Sequence, residues 1–207
     1  MAPARRLVLA SASPARLRLL TGAGFAPEVV VSGVDEDALI AAFSTNGDAG
    51  LPGLVTALAE AKADAVAARP DVAGALVVGC DSLLDVDGEV HGKPATVDEA
   101  RARLTLLRGR SAVLRTGHCV VDTATGRRAS APAATEVRFG RFTDEEREAY
   151  LATGEPLLVA GSFTLDGRSA PFIEGVVGDH GNVIGLSLPL LRRLLGEVGV
   201  SVMDLWP

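Results

Sequence analysis

One stretch limits this chain more than any other: an apolar run that ends in a carboxylate and is reversed a few residues later by an Asp-Gly turn. The run is Ala75–Val78, the carboxylate is Asp81, and the turn is Asp87-Gly88, inside "ALVVGCDSLLDVDGEVHGKP". Asp-Gly between apolar segments marks a tight hairpin, because both central residues tolerate positive φ. An antiparallel pair is therefore expected in the middle of the chain. Elsewhere strand and helix patterns alternate. The pattern argues against a regular βαβ series and for an α/β (α+β) protein with a mixed β-sheet and flanking helices.

The flanking segments read consistently. "RLVLAS" is a short buried strand over 6–11, followed by Ser13 at an N-cap position and Pro14 at the first helical position. "PEVVVS" reads as a second strand and "GVDEDAL" as the start of a polar connection. The Gly-rich "STNGDAGLPG", residues 44–53, reads as a loop, either an ordinary excursion or a lid. "LVTALAEAKADAVAARP" is an Ala-rich helix ended by Pro70. Capping-box pairs, Thr96 with Glu99 and Thr143 with Glu146, open two more helices. "AVLRTGHCVVDTATGRRA" is a strand pair turning at Thr125-Gly126, and Ser187 with Pro189 opens a last helix. No linker or repeat interrupts residues 1–207, so one domain is expected.

Composition excludes some functions. The 207 residues are 48% hydrophobic, which supplies a core. Net charge is −6 and aromatics are 4%, so no nucleic-acid surface or base-stacking platform is expected. Two cysteines, Cys80 and Cys119, lack CxxC spacing and read as buried reduced thiols of a cytoplasmic protein. The N-terminus imitates a signal peptide, but its apolar run, Leu7–Ala10, falls short of the roughly 7–15 residues required. No segment has transmembrane length, so no membrane association is expected.

Four places carry candidate chemistry. In "SASPAR" a strand gives way to a helix start, where free N–H groups, Ser11, Ser13 and Arg16 suit an anion. An ordinary capped helix with a solvated Arg16 is the alternative. In "VDED" the carboxylates of Asp35, Glu36 and Asp37 offer hard oxygen ligands, or form a solvated acidic loop. Lys62 lies beside small and apolar residues at helical spacing and flanks the buried face, or sits on the surface. Asp81, read as the end of a buried strand at a sheet rim, suits a divalent-ion ligand or a base for water. Lys93, between Gly92 and Pro94, suits phosphate; a turn cap and an exposed lysine are the alternatives. His91, His118 and His180 lack zinc spacing. Walker, dinucleotide and GxSxG patterns are absent. The sum is phosphate chemistry with no named substrate.

In order and spacing, "LASASPARLRLL", "VDE", "LAEAKADAV", "GCDSLLDVDGEVHGKP", "EARARLTLLRGR", "TDEEREAYLATGEPL", "AGSFTLDG" and "NVIGLSLPLLRRLL" resemble the Maf family of nucleoside triphosphate pyrophosphatases, also called septum formation inhibitor proteins. The resemblance covers nearly the whole chain. It implies two lobes around a cleft over a long twisted mixed sheet, similar to inosine triphosphate pyrophosphatases. It implies hydrolysis between the α and β phosphates to a monophosphate and pyrophosphate, with a divalent cation, Mg²⁺ or Mn²⁺. Its general base falls on Asp81, its phosphate-binding cations on Arg16, Lys62 and Lys93, and its acidic metal or water-positioning residue on Glu36.

Three specificity positions depart from the better-known branches. Where the UTP/dTTP branch has Arg, Thr and Gln, and the 7-methyl-GTP branch has Trp, Gln and Glu, this chain has Ala15, Ser82 and Asp166. Asp166 accepts from a guanine edge but cannot donate to a uracil carbonyl as Gln does. Ala15 removes the Trp that would stack on a methylated base. Pyrimidine-only specificity is therefore disfavoured. Two rival readings remain open: a nucleotide-binding regulator of division with incidental hydrolysis, and a nucleotidyltransferase. A homodimer is also left open.

Overall fold

A strand that must bury both faces carries apolar residues at successive positions, and the segment after Gly74 does so. The computed structural model describes residues 5–46 and 50–207. Its strands are β1 (Leu7–Leu9), β2 (Glu28–Val29), β3 (Leu76–Val86), β4 (Glu89–His91), β5 (Ser111–Asp122), β6 (Arg128–Phe139) and β7 (Ile173–Val177). They form one seven-stranded sheet in the order β2-β1-β3-β5-β6-β7, with β4 paired to β3 off this path. β1 pairs parallel with β2 and β3, while β3–β4 and β6–β7 are antiparallel. The sheet is mixed, as expected. The hairpin turns at Asp87 (φ 52) and Gly88 (φ 91), the positive-φ pair a tight turn between twisted strands requires.

The helices are α1 (Pro14–Gly22), α2 (Glu36–Asn46), α3 (Gly50–Ala67), α4 (Val97–Leu107), α5 (Asp144–Leu151), α6 (His180–Ile184) and α7 (Leu188–Glu197). Ser13, Thr143 and Ser187 are their N-caps where expected. Three readings change. "VDED" is not a loop: Asp35 accepts the Ala38 N–H at 3.0 Å and caps α2, and Glu36 is the first helical residue. "STNGDAGLPG" is not one loop: 44–46 end α2 and 50–53 open α3, while 47–49 lie outside the described residues. Thr96 caps α4, but Glu99 reaches back to the Ala95 N–H, one residue short of a capping box.

The chain divides into two compact units. The first comprises the chain up to Asp81, Thr116–Ala133 and Gly185–Pro207. Side chains alternate along β3 there. Leu76, Val78 and Cys80 pack with Leu20 of α1 and Leu190, Leu191, Leu194 and Leu195 of α7. Ala75 and Val77 pack on the other face with Ala59, Ala63 and Val66 of α3. Trp206 donates to the Ala23 carbonyl at 3.2 Å and fixes the C-terminal tail. The second unit, Ser82–Arg115 and Ala134–Ile184, has its own core of Leu84, Val86, Leu107, Leu114, Val137, Phe139 and Phe163. Among the described residues no helix is long and apolar enough to cross a membrane.

Candidate active site

Lys62 owes its position to two glycines. A Cβ at Gly79 of β3 would lie 2.2 Å from the Ala59 carbonyl oxygen, and one at Gly117 of β5 would lie 1.9 Å from that of Val55. Helix α3 thus rests on the bare backbone of the sheet. Its inward stripe reads Val55, Leu58, Ala59, Lys62, Ala63 and Val66, all buried. Lys62 is one of that stripe, not a residue at its flank. Asp81 lies two residues beyond Gly79, so strand alternation turns it to the same face. It is not at a strand end, as the sequence suggested. Five more strand residues follow it, and only the unit boundary falls there.

A buried ammonium needs acceptors, since an unpaired one costs several kcal/mol. Lys62 Nζ donates to Asp81 Oδ1 and, at 2.6 Å, pairs with Glu36 Oε1. Lys62 and Asp81 are each about 6% exposed, whereas the Glu36 side chain is 46% exposed. Two carboxylates from different elements, α2 and β3, therefore converge on one nitrogen. An ammonium carries three donors, so among the described residues one is left for a further acceptor.

At the start of α1, Ser13 Oγ accepts the Arg16 N–H at 3.4 Å, and the Ser13 N–H donates to Ser11 Oγ at 3.2 Å. The Arg16 guanidinium donates through Nη1 to Ser11 Oγ at 3.0 Å and through Nε to the Gly185 carbonyl at 2.8 Å. Arg16 is 7% exposed, which overturns the solvated-arginine alternative. Gly185 (φ 128) leaves room for it, since a Cβ there would lie 3.2 Å from Arg16 Nε. Two residues on, the Ser187 N–H donates to His118 Nε2 at 2.8 Å, while His118 Nδ1 meets the Thr116 carbonyl at 3.1 Å. His118 is thus structural and secures the segment that holds Arg16. Gly79, Gly117, Gly185 and His118 carry no local sequence signal, because their roles arise from close approach in space.

Cys80 relates the two groups. Burial pushes its thiol up to about 12, while Arg16 and Lys62 pull it down and Asp81 raises it. Both cations and the carboxylate therefore act on one buried position. Cys119, pushed up to about 11 by burial, is likewise free and buried.

The second unit holds other predicted residues. Ser82, half-buried, follows Asp81 on β3. Lys93 is exposed in the segment between β4 and α4, with Pro94 buried behind it. Asp166 is exposed in a turn braced by Glu155, whose Oε1 accepts from Thr164 Oγ at 2.5 Å and the Arg168 N–H at 3.0 Å. Ala15, in the first turn of α1 in the first unit, is half-buried. His91 is partly buried and His180 exposed.

Among the described residues no group of three His, Cys, Asp or Glu forms a self-sufficient metal site. Mg²⁺ does not need one, because it is commonly held by one or two carboxylates with phosphate oxygens and waters. The convergence of Asp81 and Glu36 fits that demand.

Residues 6–198 match the family described as Maf-like protein. Curated relatives from Streptomyces avermitilis and Streptomyces coelicolor are each 64% identical over 204 residues, covering 99% of this chain and 96% of their own. One from Salinispora tropica is 52% identical, covering 97% of this chain and 87% of its own. All three are named nucleoside triphosphate pyrophosphatase. With nearly every residue aligned at such identity, the chain belongs to the Maf family.

Proposed function

We propose that this protein hydrolyses nucleoside triphosphates between the α and β phosphates, releasing a monophosphate and pyrophosphate. The observation that carries the reading is the buried Lys62 ammonium shared by Asp81 and Glu36, in a chain whose relatives are named nucleoside triphosphate pyrophosphatase. A triphosphate carries about four negative charges near neutral pH, so a protein of net charge −6 must gather cations locally. Arg16, Lys62 and Lys93 are the cations assigned to that task, with the Ser11 and Ser13 hydroxyls beside Arg16.

In the proposed reaction Lys62 holds Asp81 through Oδ1, which leaves Oδ2 to accept a proton from water. The water oxygen bonds to phosphorus as the α–β bridging bond breaks, and the proton passes to Asp81. Pyrophosphate carries away the bonding pair. Arg16 and Lys93 stabilise charge growing on phosphoryl oxygens, and Lys62 offers its remaining donor to one of them. Asp81 and Glu36 are the residues that would hold Mg²⁺ or Mn²⁺, which when bound polarises those oxygens. No side-chain nucleophile is required, in keeping with two cysteines that burial keeps protonated.

Ala15, Ser82 and Asp166 are assigned to base selection, with pyrimidine-only specificity disfavoured. The test is a chromatographic panel of common and modified triphosphates with Mg²⁺ or Mn²⁺, scored for monophosphate and pyrophosphate. Asp81→Asn is expected to lose about 10²-fold or more in turnover while staying folded. Release of orthophosphate and a diphosphate, or intact turnover in that variant, would refute the reading.

A further inference from the structure

Lys93 lies in a short segment whose backbone is gripped at both ends by one turn of α4. Before it, the Gly92 carbonyl accepts from Arg103 Nη1 at 2.6 Å and from the Gly161 N–H at 3.1 Å. After it, the Ala95 N–H donates to Glu99 Oε2 at 2.8 Å. Glu99 and Arg103 are themselves paired i to i+4, Arg103 Nη2 to Glu99 Oε1 at 2.6 Å. Between the two grips Pro94 fixes its own φ and is buried, while Lys93 alone points to solvent.

Arg103 is a costly residue to place there. It is 5% exposed, burial pulls its pKa below the ordinary arginine value, and among the described residues Nε has no hydrogen-bond partner. Its charged partner among the described residues, Glu99, has a side chain 45% exposed. A guanidinium so enclosed also draws on main chain, through the Gly92 carbonyl. It also donates from Nη1 to Ser162 Oγ at 3.3 Å, and Ser162 holds a positive φ of 63 that serine adopts only under constraint. The same guanidinium thereby joins the Lys93 segment to Gly161–Ser162, four residues before Asp166.

We propose that Glu99 and Arg103 are positioning residues for Lys93: they form a two-ended clamp that fixes its ammonium for phosphate. This rests on the reading of Lys93 as a phosphate-binding cation. The geometry confines the backbone on both sides of one exposed lysine, so lysine rotamers alone remain to be ordered when substrate binds. Loss of the clamp leaves the charge present but unplaced.

The test is a double-mutant cycle. Arg103→Met is expected to lower kcat/KM for the best triphosphate about 10-fold, and Lys93→Ala to lower it further. In the Lys93→Ala background, Arg103→Met is expected to change kcat/KM less than 2-fold, because the lysine it places is gone. Arg103→Lys, able to reach the Gly92 carbonyl, is expected to recover part of the loss. Amide exchange at Ala95 and Gly161 is expected to quicken in Arg103→Met while core amides of β5 stay protected. Equal losses in both backgrounds would overturn the clamp and leave the Lys93 reading standing. Full activity in Lys93→Ala would overturn the Lys93 reading itself. Should Arg103→Met fail to fold, the cycle run with Arg103→Lys and Glu99→Gln decides by the same criterion.

Discussion

Gly79 and Ala59 are in direct backbone contact: a methyl group on Gly79 would stand 2.2 Å from the Ala59 carbonyl oxygen. Neither strand nor helix can yield without repacking the layer, so Gly79→Ala is expected to destabilise the protein by about 2–4 kcal/mol. Gly117→Ala, facing Val55 even more closely, belongs with it. Gly22→Ala, which meets nothing within 4 Å, is expected to stay within about 0.5 kcal/mol. Urea denaturation of the three variants separates close approach from general sensitivity.

Removing Lys62 and neutralising Asp81 should differ in kind. Lys62→Met leaves a buried carboxylate without its cation and is expected to cost about 2–4 kcal/mol of stability, besides most of the turnover. Asp81→Asn keeps an acceptor for Lys62 and is expected to cost less stability while losing turnover. The stability loss in Lys62→Met/Asp81→Asn should fall clearly short of the sum of the single losses. Strict additivity would mean the pair does not act as a unit.

An ion pair in the first unit gives a pH signature. Arg5 Nη2 pairs with Asp122 Oδ1 at 2.6 Å, and the Ala124 N–H and Thr125 hydroxyl also donate to that carboxylate. The Arg5 hydrogen bond holds Asp122 down at about 2, below its ordinary 3.8. A depressed carboxylate stabilises the fold above its unfolded pKa and loses that contribution as pH falls through the folded one. The contribution is expected to be roughly 1–2 kcal/mol, discounted for the partly exposed arginine. It should be complete near pH 5 and nearly gone by pH 2. Thermal melts of the protein and of Asp122→Asn across that range should converge at the acid end.

Base selection can be probed at Asp166. A carboxylate accepts but does not donate, so Asp166→Gln introduces a donor for a uracil carbonyl. The ratio of kcat/KM for UTP over GTP is expected to rise about 10-fold, the scale of one hydrogen bond gained or lost at a specificity position. An unchanged ratio, with both rates intact, would remove Asp166 from base contact.

The parts legible in sequence are those set by neighbours along the chain. Ser13, Thr143 and Ser187 announce helix starts because capping is satisfied within three residues, and Asp87-Gly88 announces the hairpin for the same reason. Asp81 is visible in the sequence as a carboxylate among apolar residues, where a charge reads as the end of a strand. It continues because Lys62, nineteen residues back, supplies the partner. Helix α2 was hidden by the acidic run 35–37, which reads as solvated loop, though Asp35 and Glu36 are its cap and first turn. Lys62 reads as unexceptional on an Ala-rich helix, since nothing local reveals that two glycines on separate strands draw that face inward.

Cys80 and Cys119 both belong to the first unit, and burial keeps each protonated and covered. A thiolate is the species that alkylating reagents capture, so native protein should label only when this unit opens. The pair is thus a built-in clock: the rate of iodoacetamide uptake against urea concentration reads the opening of the first unit alone, with no engineered probe. Prompt labelling of the folded protein would show that the unit opens far more readily than its packing implies.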